Sequence, residues 1–274
     1  MEKPVRLSPS LREKVWGKTH LSPWYPDSAT PIGESWFLGP RELPLLVKLI
    51  FTGQRLSVQV HPDDGEDGPR GKNEMWHILE AAPGATIAMG FREPITRERL
   101  WDATRTGDLE HLLHWAPVKA GETYLIPAHT VHAIGAGIVL CEIQQNSDVT
   151  YRLWDYGRPR ELHVEKAVPL CDLGVHPGAS LAVPVDERRE EVARSKHFVT
   201  ELVRLKASER IVPAPEKCQL WICLEGSGKI AAETFHGGEV WLLPDEGEPA
   251  AITAVGASRF LRTWVPGQGL ELVA

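Results

Sequence analysis

The chain has 274 residues, 42% apolar and 24% charged, which is enough length and apolar content for one large or two modest domains with cores of their own. A net charge of −7 argues against a nucleic-acid-binding surface but leaves room for a few local Lys and Arg to hold an anion. The 24 glycines and 22 prolines follow no period, which suits a turn-rich β protein better than a disordered one.

The opening stretch MEKPVRLSPSLREKVWG has no apolar segment of the kind a secretory leader carries. The most apolar run, LPLLVKLIF, is too short to span a bilayer and contains Lys48. Cys141, Cys171, Cys218 and Cys223 form no CxxC pair, so reduced thiols and a cytoplasmic setting are expected. From residue 34 the chain reads as strands, in ESWFLG, LPLLVKLIF and RLSVQV, and then in MWHILEAA and TIAMGF. The period changes between Thr96 and His114, where Thr96 is a candidate N-cap and Leu100, Leu109, Leu112 and Leu113 fit one or two amphipathic helices broken at Thr106–Gly107. Strands return at ETYLIP, HAIG, IVLCEIQQ and VTYRLWDY, followed by a short helical candidate in LHVEKAVPL that stops near Pro169. A charged run, PVDERREEVARS, places a domain boundary within roughly 175–195, and β-rich segments with Gly and Pro turns fill the rest. The expected division is 1–180, with a helical insertion at about 94–116, and 190–274.

In LSVQVHPDD, Ser57, Gln59 and His61 alternate with Leu56, Val58 and Val60, so the three polar side chains share one face of a strand that Pro62 ends. In GETYLIPAHTVHAIG, the spacing of Gly121, Pro127 and His132 resembles the second conserved box of cupins. That box has glycine where this chain has His129, and often asparagine where it has Ala136. His129 is expected as a rim residue rather than a further polar contact, and His77 as a packed or partly exposed side chain. The wider set, VWG, IGESW at 32–36, LLVKLI at 45–50, LSVQVHPDD, GKNEMWHIL, the run from His132 to Arg158, and ELHVEKA at 161–167, occurs in order. With these motifs the chain resembles the class I, cupin-type mannose-6-phosphate isomerases, in their short bacterial form.

The resemblance implies a mostly β fold, with a cupin jelly-roll barrel carrying a helical insertion and then a smaller cupin-like β unit. It implies Gln59, His61, Glu74 and His132 as ligands of one Zn2+ per chain, and this nitrogen and oxygen set also suits other divalent metals. It implies Arg152, Lys72 and Glu142 as catalytic residues and Ser57, Lys48 and Arg158 as substrate contacts, at the phosphate group, with Arg152 placed to stabilise an enediolate. The expected partner is a small sugar phosphate, with neither nucleic acid nor membrane, and both monomer and dimer stay open. In the C-terminal part Gly238 and Pro244 echo the box spacing, but no histidine follows at the ligand position, so this unit is expected to lack a metal. Cys218 and Cys223 read as buried thiols, and the tryptophans Trp36, Trp76, Trp115 and Trp154 as core by default, with walls of the sugar site as the alternative for some of them. Two other classes stay open at this point. One is another metal-dependent cupin, a sugar isomerase or epimerase or a dioxygenase, although Gln59 stands against the last. The other is a non-catalytic sugar-phosphate-binding cupin, against which the retained ligand set, Lys72 and Arg152 speak.

Overall fold

Strands form where a period-two pattern can bury one face, and both faces of LLVKLIF are buried: every residue of Leu45–Phe51 is inaccessible, Lys48 included. The computed structural model describes residues 3–245 and 249–267. By internal contacts these fall into two units, one of residues 11–36 and 46–179, the other of the described parts of 1–10, 37–45 and 180–274.

The first unit contains two antiparallel sheets. One runs in the order Ser8–Lys18, Ile32–Leu38, Leu45–Phe51, Ile138–Gln145, Glu74–Ala81, Thr123–Ile126. The other runs Tyr151–Trp154, Val58–Val60, His132–Ile134, Thr86–Phe91, Leu113–Pro117. Trp16, Ile50, Trp76, Ile78, Tyr124, Ile126 and Leu140 from the first sheet meet Ile87, Met89 and Ile134 from the second in one core. Each fully buried aliphatic or aromatic side chain there contributes roughly 1.5–3 kcal/mol. Val58 and Val60 point the other way, into a second core with Phe91, Leu100, Leu109, Leu153 and Val168. Alternation therefore leaves Ser57, Gln59 and His61 for the side between the sheets.

The helical insertion begins as expected. Thr96 caps Arg97–Thr106 by accepting from the Arg99 amide, and Gly107 closes it at φ 86°, a left-handed conformation that favours glycine. A second turn, Leu109–Leu112, follows. Leu113 departs from the helical expectation: Leu113–Pro117 is an edge strand, with Leu113 opposite Phe91 and Ala116 opposite Ile87. Leucines at 112 and 113 suit a helical period, but the open edge of Thr86–Phe91 offers the backbone partners that a frayed helix end lacks. The strand Ser8–Lys18 also lies outside the sequence expectation, because its charged residues conceal its alternation.

The second unit pairs a seven-stranded sheet with a four-stranded one around Val203, Leu205, Trp221, Ile230, Phe235, Trp241, Ile252 and Phe260. Phe260 meets Trp221 and Phe235 edge-on, at 5.4 and 5.1 Å between ring centroids. All four cysteines are buried and unpaired. Among the described residues, no helix is long and apolar enough to cross a membrane.

Candidate metal centre and active site

Gln59 and His132 are directly opposite each other in adjacent strands, and Arg152 flanks Gln59 on its other side. Across the barrel, Glu74 pairs with Gln144 and Trp76 with Glu142, so these four side chains share the inner face of the larger sheet. His61, Glu74 and His132 converge from these strands, with one ligand atom of each within 4.8 Å of the others. His61 Nε2 is 3.6 Å from Glu74 Oε2, and His132 Nε2 is 3.5 Å from Glu74 Oε1.

The hydrogen bonds around this group orient its lone pairs. His61 Nδ1 donates to the Val149 carbonyl at 2.9 Å, and His132 Nδ1 to the Thr130 carbonyl at 2.8 Å. Each ring therefore keeps its Nε2 lone pair for the cluster. Burial pushes both imidazoles down, His132 to about 3, so both are neutral. Glu74 is fully buried, and its Oε1 has no hydrogen-bond donor. Its Oε2 has the Lys72 ammonium at 2.8 Å, and that ammonium is also 3.1 Å from His61 Nε2. Burial and the nearby Glu142 raise the Glu74 carboxyl to about 7, against the pull of Lys72. Lys72 serves one carboxylate oxygen only; Oε1 faces the unprotonated His132 nitrogen with no donor between them, a costly arrangement for buried polar atoms that a divalent cation would relieve. Gln59 lies at the edge of this group, with Nε2 3.3 Å from His132 Nε2 and Oε1 accepting from Ser57 Oγ at 3.4 Å.

A second charged pair adjoins the first. Lys48 Nζ lies 3.1 Å from Glu142 Oε1, and Trp76 Nε1 donates to Glu142 Oε2 at 3.1 Å. Burial alone would raise Glu142, but Lys48 and Lys72 overcome it and hold the carboxyl at about 2. Glu74 and Glu142 together hold the Lys72 ammonium above its ordinary range, despite its burial.

Of the expected site residues, Gln59, His61, Glu74, His132, Ser57, Lys72, Lys48 and Glu142 form one connected group. Arg152 stands beside Gln59; its Nη1 donates to the Glu161 carbonyl at 2.7 Å, and its Nε is buried without a partner. Arg158 is engaged elsewhere, donating to Asp155 Oδ1 at 2.6 Å and to the Arg55 carbonyl at 2.8 Å. His129 sits at the rim, half-exposed, with Nε2 2.7 Å from Glu66, and His77 is buried against Thr123. Trp76 has a polar role beyond core packing: besides its bond to Glu142, it meets the His132 ring edge-on at 5.4 Å. Its position two residues after Glu74 on one strand was the available signal. The Thr130 and Val149 carbonyls carry no side-chain signature at all.

No family model matches the chain. A curated mannose-6-phosphate isomerase of Streptococcus mutans is 33% identical, over 64% of this chain and 69% of that protein. A Bacillus subtilis mannose-6-phosphate isomerase is 32% identical, over 62% and 68%. The chain belongs to the mannose-6-phosphate isomerase family. The crystal structure of a Bacillus subtilis mannose 6-phosphate isomerase superposes with a TM-score of 0.84 at 26% identity, covering 96% of this chain and 99% of that one. A zinc-bound mannose 6-phosphate isomerase superposes with a TM-score of 0.76, covering 96% and 99%, and at 16% identity it bears on the fold alone. The mostly β, cupin-type fold of the mannose-6-phosphate isomerase family is thus the fold of this chain.

Proposed function

We infer that this chain interconverts mannose 6-phosphate and fructose 6-phosphate, moving a proton between C2 and C1 through a cis-enediol. The observation that carries the reading is Glu74, a buried carboxylate with an oxygen lacking any donor, set between two neutral imidazoles in a chain of this family. His61, Glu74 and His132 would hold a zinc ion, joined by Gln59 once its amide turns to present Oε1 in place of Nε2. When bound, zinc would polarise the sugar oxygens as a Lewis acid.

The chain's own side chains account for the rest. Arg152, with a buried guanidinium nitrogen lacking a partner, stabilises the negative charge that develops on the sugar oxygens. Lys72 and Glu142 are the candidates for the proton transfer at the reacting carbons, and their counter-ions, Glu74 and Lys48, keep each in place. Ser57 and Lys48, which adjoin the cluster, contribute substrate contacts that fix the sugar relative to those groups.

A coupled assay that consumes fructose 6-phosphate tests this. Wild-type protein is expected to turn over mannose 6-phosphate, to lose activity on exhaustive chelation and to recover it with zinc. A zinc-loaded protein without activity, or full activity after complete metal removal, would contradict the reading.

A further inference from the structure

The larger sheet continues beyond Lys48 into two strands that carry a row of charge. On Ser8–Lys18, Trp16 is buried in the core between the sheets, and Arg12 and Lys14 are on the same face of the strand. Burial falls away along this row, from buried Trp16 through half-buried Lys14 to exposed Arg12, which marks the solvent end of the barrel. On the next strand, Glu34 pairs with Lys14 at 3.0 Å and accepts from Trp36 Nε1 at 2.9 Å. The Trp36 ring is contacted by two cations: Lys48 Nζ and the Arg12 guanidinium carbon each lie 4.5 Å from its centroid.

The charges in this row do not cancel. Lys48 is neutralised by Glu142 and Lys14 by Glu34. Among the described residues the Arg12 guanidinium has no ion pair or side-chain hydrogen bond, and it lies over the Trp36 ring. A guanidinium resting on an aromatic face is partly desolvated and held flat, with its forked donors free for an incoming ligand. In strand order Arg12 is four steps from Glu74, about 19 Å across the sheet before any offset along the strands. Arg12 reaches back one strand, over Trp36, and Glu74 extends from the other side.

We propose that Arg12 is the anchor for the phosphate group of the sugar phosphate, with Trp36 as its platform. The proposal rests on the isomerase reading, and it places the phosphate at the end of the row opposite the metal ligands. A phosphate dianion prefers a forked, uncompensated donor to a lysine already paired with a carboxylate.

The test compares R12M and R12K with wild type in the zinc-loaded protein. For R12M, KM for mannose 6-phosphate is expected to rise about tenfold to a hundredfold, more than kcat falls, as expected for losing a charge-assisted contact. The ratio of kcat/KM for mannose 6-phosphate over unphosphorylated mannose should collapse by the same factor. The inhibition constant of inorganic phosphate should rise with it, and R12K should restore part of the loss. An R12M variant with unchanged KM and unchanged phosphate inhibition overturns the anchor. If wild type has no isomerase activity, the isomerase reading fails by itself. Calorimetric binding of inorganic phosphate then decides Arg12 separately: weakened binding in R12M supports the anchor, and equal binding overturns it.

Discussion

At the scale of single residues, the site depends on how each polar atom is partnered. Glu74 Oε1 lacks a donor because both neighbouring imidazoles spend their protons on backbone carbonyls. Glu74→Gln keeps the shape and removes the charge, so zinc affinity is expected to fall more than about 100-fold, the upper end of what even ligand-supporting residues give. Competitive zinc titration reads this, and zinc should raise the thermal midpoint of wild type but not of the variant. Wild-type zinc affinity in the variant would remove Glu74 from the ligand set. Arg152→Ala is expected to lower kcat by about 10²–10³ with a much smaller change in KM, as for other groups that stabilise developing charge. Steady-state kinetics with mannose 6-phosphate checks it, and equal turnover would reject the role.

At the scale of elements, the strand that presents Gln59 is only Val58–Val60, and the following loop must bring Glu74 back beside it. Asn73 holds that return. Its backbone N–H and Nδ2 both donate to Gln145 Oε1, at 3.0 and 2.9 Å, and its Oδ1 accepts from the Ala128 amide at 3.0 Å. One side chain thus ties the start of Glu74's strand to the end of Ile138–Gln145 and to the turn before His132. Asn73→Ala is expected to weaken zinc binding about 10- to 100-fold although Asn73 is not a ligand. Zinc titration checks this, and unchanged affinity would show that the loop holds its position without Asn73. The capped helix Arg97–Thr106 was legible because Thr96 and Gly107 are local signals. The edge strand Leu113–Pro117 was not, because only the free edge of Thr86–Phe91 distinguishes it from a helix end.

At the scale of the whole molecule, the two units fill their interiors differently. Where the first gathers an imidazole–carboxylate cluster, the second buries a satisfied network. Arg262 donates to Gln219 Oε1 at 2.8 Å, to Glu201 at 3.3 Å and to the Ala214 carbonyl at 3.1 Å, and Trp221 Nε1 donates to the same Gln219 oxygen at 2.9 Å. Arg262→Met strands those acceptors and is expected to cost about 3 kcal/mol, the scale for removing one member of a buried ionic group. Denaturant unfolding measures it, and an unshifted midpoint would show that the network relaxes at no cost. The Gly238 to Pro244 spacing does give a strand, Val240–Leu243, after a glycine at φ 87°.

The sequence by itself determined the class of fold, through alternation and turn residues, and the family, through motifs whose order no composition could mimic. It also placed Gln59 and His61, the ligands the family resemblance implies, on one face, because a strand's period of two does so whatever surrounds them. Only the tertiary structure decided which nitrogen of each histidine points inward, that Trp76 binds Glu142, and that Arg158 is occupied by Asp155 while the Arg12 guanidinium lies over the Trp36 ring. Those facts depend on backbone carbonyls and on residues far apart in the chain. Their hydrogen bonds and charges become specific only when the two sheets close on one another and exclude water from between them.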